Sequence, residues 1–374
     1  VAALPQIGDP TLALADKALE QAENSTPHRP YLGMSAIGGP CDRALWYGFR
    51  WASPKRFDAA TLKRFADGHH TEAVAIARLK ACAELEVYDL SPDTGRQFGF
   101  EDHNGHFRGH MDGVILGLLQ APKTWHVLEI KAVSEAKFRE LEKAVEKVGE
   151  KLALREWNEI YYAQAVLYMD YADLDRHYCV VCTPGCRRWM AVRTERDKPE
   201  ARRLRGRAQT IIASDSPPPR ISESPDYYQC RWCDHAPVCH QGEQALSHCR
   251  TCLHSTPVER GEWHCARWAR KISVEEQREG CPAHLYIPGL VPGEQVDAGP
   301  DWVEYRLPDG SVWRDGGAAY TIGDTIERDG CRYCGVVTFA VEEGKGPHAA
   351  GLRCTGCGRH GGWLSKAEAY RHAA

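Results

Sequence analysis

The stretch WHVLEIKAV, residues 125–133, reads as a buried strand with charge on one face. Side chains alternate sides along an extended chain, so Glu129 and Lys131 project together while Leu128 and Ile130 point the other way. One wall of the strand therefore carries a carboxylate and an amine. Upstream, RGHMDGVIL (residues 108–116) holds Asp112 in another apolar, strand-like run, and the glycines and Pro122 between the two suit a hairpin or meander. The pattern is Asp112, sixteen residues, then Glu129-Ile130-Lys131.

A chain of 374 residues exceeds one average domain and suffices for a sizeable core. Composition is that of a globular protein. A net charge of -4 excludes a uniformly basic nucleic-acid binder, so any such contact must be local. No apolar run reaches the length of a membrane span, and VAALPQIGDP lacks a basic start followed by a hydrophobic region. The expectation is a soluble protein without membrane contact, cytoplasmic in a bacterial or virus-infected cell.

Of the sixteen cysteines, most stand in Cys-x-x-Cys pairs or at ligand-like spacings, which favours metal sites over disulfides. Cys82, in a helical pattern, is expected to pack in a core. Cys179 and Cys182 lie on a strand, where an odd separation turns them to opposite faces, so packing is expected there too. Cys186 follows a Pro-Gly turn and shows no evident partner.

Residues 10–23 have helical spacing of alanine and leucine. Cys41 then opens a short helix followed by Arg43, Trp46 and Tyr47. Residues 59–86 form one long helical pattern containing GHHTE, so His69, His70 and Glu72 are candidate metal ligands or a solvated face. Residues 134–157 predict a single charged helix with a narrow stripe of Phe138, Leu141, Val145, Val148 and Leu152. A further helix over 159–171 puts Gln164 and Tyr168 on one face, and strands follow near 176–181 and 188–193. From Arg187 to Arg207, nine basic residues stand against three acidic ones. Arg187, Arg188, Arg202 and Arg203 are candidate phosphate contacts, with a solvated helix as the other reading. SDSPPPRISESPD (214–226) reads as a linker.

Together Asp112, the EIK triplet, GHHTE upstream and QAVLY downstream resemble the PD-(D/E)XK nuclease superfamily in its RecB-like and lambda-exonuclease-like branch. The resemblance covers about two thirds of the chain. Its Gln-x-x-x-Tyr element belongs to that branch, whereas GHHTE ends in Glu where many RecB-like members have His, which leaves Glu72, His70 and His69 open as the metal contact. The resemblance implies an α/β restriction-endonuclease-like core, a mixed central sheet flanked by helices, that binds Mg²⁺ or Mn²⁺ through Asp112, Glu129, the Ile130 carbonyl and Glu72 or His70. Lys131 would stabilise developing charge, while Gln164 and Tyr168 would position the backbone of DNA or a water. Cys41 followed far downstream by CRWCDHAPVC resembles the iron-sulfur nucleases, among them CRISPR-associated adaptation nucleases and AddB-type subunits. That likeness implies a [4Fe-4S] cluster on Cys41, Cys230, Cys233 and Cys239, with zinc as the alternative.

Beyond Gln241 the resemblance ends. Cys249, Cys252, Cys265 and Cys281 form a plausible zinc set in which His264 or His284 could replace one cysteine, and such tails weakly resemble those of viral or phage nuclease-like proteins. Cys331, Cys334, Cys354 and Cys357 have zinc-ribbon spacing. Between these sets WVEYRLPDGSVWRDG reads as a small hairpin. The domains expected are 1–243, 244–292 and 293–374. No Gly-x4-Gly-Lys-Ser/Thr sequence is present, so ATP-driven unwinding would need a helicase partner. These features suggest a deoxyribonuclease, exonucleolytic or end-trimming on single-stranded or opened DNA, with a helicase, recombinase or single-strand-binding protein as possible partner. The alternatives are a catalytically weak DNA-binding scaffold, and a processing subunit that docks through its zinc modules.

Overall fold

The computed structural model describes residues 8–281, 283–316, 322–345 and 350–364. Helix α1 (Pro10–Asn24) starts where the Asp9 side chain accepts from the N–H groups of Thr11 and Leu12. At its far end Asn24 exchanges two 2.9 Å hydrogen bonds with the backbone of Phe57. After a two-residue strand β1 (Leu32–Gly33), α2 (Asp42–Arg50) buries Trp46, Tyr47, Phe49 and Arg50. Asp58 caps α3 (Ala59–Lys80). The chain turns after Ala81 toward β2 (Glu86–Tyr88), so the helix ends short of residue 86. Cys82 is consequently exposed, a correction to the core position expected of it.

Strands β3 (Gly99–Asp102), β4 (Phe107–His110), β5 (Gly113–Leu116) and β6 (His126–Ala132) follow. The run around Asp112 is therefore two strands, and they belong to different sheets: β4 lies between β1 and β3, and β5 joins β6. Asp112 sits at the elbow between them. The expected single helix over 134–157 is broken into α4 (Glu135–Val148) and α5 (Glu150–Trp157) by Gly149, at φ 79. A side chain resists that conformation and glycine does not. Leu152, beyond the break, loses its place in the stripe and is 61% exposed. Helix α6 (Glu159–Ala172) leads to β7 (Arg176–Cys182), β8 (Trp189–Glu195) and α7 (Lys198–Ala213).

The central five-stranded sheet has the order β2-β5-β6-β7-β8. Its neighbours run antiparallel except β6 and β7, which are parallel because α4 to α6 cross over between them. Helix α3 covers one face, where Ala75 and Leu79 pack with Leu128 and Ile130. Helix α6 covers the other, with Val127, Val166 and Leu167 in the larger core. The fold is mixed α/β, as expected, and no helix of the described residues is long and apolar enough to cross a membrane.

Downstream, the short helices α8 (Tyr228–Arg231) and α9 (Ala236–His240) precede a three-stranded sheet of β9 (Ser255–Pro257), β10 (Trp263–Cys265) and β11 (Arg270–Ile272). Trp263, Cys265, Ile272, Tyr286, Leu290 and Tyr305 belong to the same packed core as Phe49, Phe107 and Tyr168, so packing continues across residues 243 and 293. The expected hairpin is present as β13 (Trp302–Arg306) and β14 (Val312–Gly316), beside β12 (Glu294–Gly299). A four-stranded sheet of β15 (Thr325–Glu327), β16 (Thr338–Glu343), β17 (Ala350–Cys354) and β18 (His360–Leu364) has its own small core around Phe339, Val341 and Leu352.

Candidate active site and cysteine centres

Glu129 is buried at 3% exposure, on the face of β6 that meets α6. Its Oε1 accepts from Lys131 Nζ at 2.5 Å and from Gln164 Nε2 at 2.8 Å, while Oε2 has no partner. A buried carboxylate oxygen left bare is costly, so its place suits a cation. Gln164 Nε2 also reaches Tyr168 OH at 3.3 Å, one helical turn along α6. Tyr168 has room because residue 109 on β4 is glycine: a Cβ there would lie 2.8 Å from Tyr168 Cε1 and from Met34. Lys131 Nζ lies 5.0 Å from the centroid of the Tyr161 ring.

Asp112 is held by the Ile130 N–H, which donates to its Oδ2 at 2.7 Å. The role seen for Ile130 is thus to orient Asp112 through its N–H. Burial pushes the Glu129 carboxyl up to about 8, and the Asp112 and Glu72 carboxylates push in the same direction against the pull of Lys131. Asp112 is likewise raised by burial and drawn down by Lys131. Burial lowers the Lys131 ammonium, but Glu129 and Asp112 outweigh it and hold its pKa above the usual lysine range. Burial and then Asp112 raise Glu72, which also feels His69 and Lys131. Three carboxylates that raise one another's pKa around one ammonium are the hard oxygen donors a divalent cation takes, though their oxygens do not all come within 4.8 Å of one another among the described residues.

His69 and Glu72 line one shallow cavity of about 410 Å³ with Lys80 and Asp89. His70 does not join the cluster: two residues before Glu72, it lies about 160° away around α3 and is exposed.

The basic run is largely neutralised within the fold. Arg188 bridges Glu135 at 2.9 Å and Glu142 at 2.6 Å, Arg193 pairs with Glu150, Arg203 with Glu200, and Arg207 with Asp42. Arg196 and Arg205 are paired with aspartates as well. Arg187 and Arg202 remain exposed without an ion pair among the described residues. The solvated-surface reading fits Arg188 and Arg203, whose guanidiniums are already committed.

Cys41, Cys230, Cys233 and Cys239 all line one cavity of about 540 Å³ between α2 and the α8–α9 segment. Burial raises the thiols of Cys230 and Cys233, and both also feel Cys41 and Cys239. The chain's early helix and its post-linker segment therefore border one cavity that all four cysteines line. Cys249 is pushed up to about 12 by burial and then by Cys281, Cys252 and Cys265, so these thiols are near enough to act on its ionisation. Cys281 stands among its members, whereas His284 bonds Thr251 Oγ1 at 3.2 Å and packs edge-on against Tyr286.

The third set is the tightest. Among the described residues, Cys331, Cys334, Cys354 and Cys357 are the one group of three or more such ligands whose atoms lie within 4.8 Å of one another. Cys331 and Cys357 sulfurs are 3.7 Å apart, and those of Cys334 and Cys354 are 3.4 Å apart. Zn–S bonds of about 2.3 Å in a tetrahedron require an edge of about 3.8 Å, so these sulfurs fit a single zinc ion. The N–H groups of Cys357 and Gly356 hold the Cys354 thiol down to about 7, which favours the ligating thiolate.

Two features escaped the sequence. Cys182 and Cys186 sulfurs lie 3.3 Å apart in the core under α3, so Cys186 does have a partner. Cys179 and Cys182 do face opposite cores. In addition, Arg50 and Arg250 are buried side by side. Arg50 donates to the Arg250 and Ser255 carbonyls, while Arg250 donates to the Phe49 and Pro30 carbonyls and to Gln277 Oε1.

No protein-family model matches the chain, and no curated protein does. Among solved structures, SSO0001 is 15% identical with a TM-score of 0.32, over 62% of this chain and 96% of its own. The alkaline exonuclease LHK-Exo from Laribacter hongkongensis is 15% identical with a TM-score of 0.34, over 53% of this chain and 91% of its own. A phage-related exonuclease from Haemophilus somnus 129PT is 14% identical with a TM-score of 0.24, over 50% of this chain and 96% of its own.

Proposed function

We propose that this chain is a Mg²⁺- or Mn²⁺-dependent deoxyribonuclease that trims ends of single-stranded or opened DNA. The observation that carries the reading is the Glu129 carboxylate: one oxygen is shared by Lys131 and Gln164, the other is bare, and the Asp112 and Glu72 carboxylates act on its ionisation. Asp112, Glu129 and Glu72 are the hard oxygen donors that would hold the ion. When bound, the ion supplies Lewis acidity at the scissile phosphate and lowers the pKa of a water there.

The chain's own residues supply the rest. Gln164, steadied by Tyr168, fixes the plane of the Glu129 carboxylate, and the Ile130 N–H fixes Asp112. Lys131 remains an ammonium and faces the same side as Glu129, where it offsets negative charge developing on the phosphoryl oxygens. A DNA-binding scaffold without catalysis would have no use for a buried acidic cluster whose carboxyls burial raises above their ordinary range.

Cys41, Cys230, Cys233 and Cys239 hold a [4Fe-4S] cluster in this reading, on the strength of the cavity that all four line. Its role is structural, closing a loop of nearly 190 residues between Cys41 and Cys230. In the same reading Cys249, Cys252, Cys265 and Cys281, whose thiols act on one another's ionisation, and the tighter ribbon set hold zinc. Anaerobically purified protein incubated with Mg²⁺ and 5′- or 3′-labelled single- and double-stranded DNA tests the activity. Metal-dependent shortening from one end is expected, and intact DNA with both Mg²⁺ and Mn²⁺ would refute it.

A further inference from the structure

We propose that the tip of the C-terminal ribbon is a stacking platform for single-stranded nucleic acid, built from Tyr333 and the guanidiniums of Arg332 and Arg359. Tyr333 is 49% exposed, outside the small ribbon core. The Arg332 and Arg359 guanidiniums lie 4.8 and 4.6 Å from its centroid. Both arginines are exposed, and among the described residues neither forms an ion pair. By contrast Arg353 on the same ribbon pairs with Glu342, and most arginines of the 187–207 run are paired as well. Two guanidiniums without carboxylate partners among the described residues therefore flank an exposed aromatic ring, above a zinc centre whose four thiolates outweigh the ion's own charge.

That combination matches one partner chemistry. An unpaired base presents a π-face that adds to a stack of planar groups, while guanidiniums take the flanking phosphates. The platform also depends on the metal centre beneath it. Arg332 and Tyr333 lie between Cys331 and Cys334, whereas Arg359 follows Cys357 on the other knuckle. The close sulfur pairs, Cys331 with Cys357 and Cys334 with Cys354, cross between the knuckles. An ion held by them fixes Arg359 relative to Tyr333. As a second hold on the substrate strand, the platform rests on the nuclease reading for its purpose, but its binding is measurable without cleavage.

The test uses the full chain, zinc-loaded, and a fluorescein-labelled mixed-sequence DNA strand of about 20 nucleotides, longer than a usual single-strand site. Anisotropy is read across a salt series with no Mg²⁺ or Mn²⁺ added. Tyr333→Ala is expected to weaken binding by about 5- to 100-fold, from the loss of base stacking, and Tyr333→Phe to restore it. Arg332→Ala with Arg359→Ala is expected to lower the slope of log affinity against log salt by about 1.4, two single-strand phosphate contacts' worth. Zinc content is measured on each variant, so a collapsed ribbon is recognised. Wild-type affinity and slope in zinc-replete variants, or no binding by the wild type, overturns the proposal; a ribbon that serves a protein partner gives the first of these outcomes. Failure here leaves the Glu129 site untouched, and absence of metal-dependent cleavage leaves the platform standing.

Discussion

Gln164 donates to Glu129 Oε1 across 2.8 Å, from the helix that covers the sheet to the strand at its centre. Both groups are buried, at 4% and 3% exposure, so the bond is shielded from water and holds the carboxylate plane. Gln164→Leu is expected to leave the fold intact and to weaken metal-dependent cleavage by about 10- to 100-fold, the usual range for a group that orients a ligand. The loss should shrink as Mg²⁺ is raised. A magnesium titration of cleavage rate checks it, and a loss that no concentration relieves would contradict a positioning role.

Arg250 is fully buried, lies 3.8 Å from the Trp51 ring centroid and satisfies three acceptors: the Phe49 and Pro30 carbonyls and Gln277 Oε1. Removing it strands those acceptors in the core, at about 1–3 kcal/mol for each. Arg250→Met is therefore expected to destabilise the protein by at least about 3 kcal/mol, which urea unfolding measures. It should loosen the α2 region and the Cys249–Cys252 segment together, since the arginine bonds one from the other.

His177 carries a pH dependence. Burial, with the Lys131 and His126 charges, lowers it to about 3, and neither ring nitrogen has a partner. Its folded-state pKa lies below the unfolded value near 6.5, so the unfolded chain takes up the proton first as pH falls. The contribution to stability is full above about pH 7 and is lost as pH drops through 6.5 toward 3. Between pH 7 and pH 5 the loss is about 2 kcal/mol. Unfolding free energies at the two pH values should differ less in His177→Leu than in the wild type; equal differences would exclude the histidine as a source.

The three cysteine sets make separable predictions. Anaerobic protein is expected to be brown, with about four irons and two zincs per chain. Cys41→Ser should remove the visible absorption and leave the zinc, while Cys334→Ser should remove one zinc and leave the colour. Elemental analysis with an absorption spectrum reads both, and a colourless protein holding zinc alone would reject the iron assignment.

Much of the central sheet was legible in residues 125–133 because a period of two with Glu129 and Lys131 in phase survives burial on both faces. The α6 pair Gln164 and Tyr168 was legible for a similar reason, one turn of a helix. Gly149 was not: it stands in a charged, periodic stretch, and only the need for φ 79 there shows that one helix must become two. Asp112 was placed in a strand because the apolar residues around it are continuous, whereas their neighbours divide them between two sheets. The Arg50–Arg250 stitch joins residues 200 apart, and no local pattern encodes it. The basic run carried a correct charge count but not the acidic partners, Glu135, Glu142 and Asp42, that arrive from other elements.

The central claim is that the Glu129 carboxylate, with its bare buried oxygen, makes the protein a metal-dependent nuclease. Its most direct test compares wild type and Glu129→Gln on end-labelled DNA with Mg²⁺, after circular dichroism and metal analysis confirm that both are folded and carry the same cysteine-bound metals. The amide keeps the side chain's shape while removing the charge. The account predicts that cleavage falls at least about 100- to 1,000-fold in the variant. Cleavage by Glu129→Gln at the wild-type rate would contradict it.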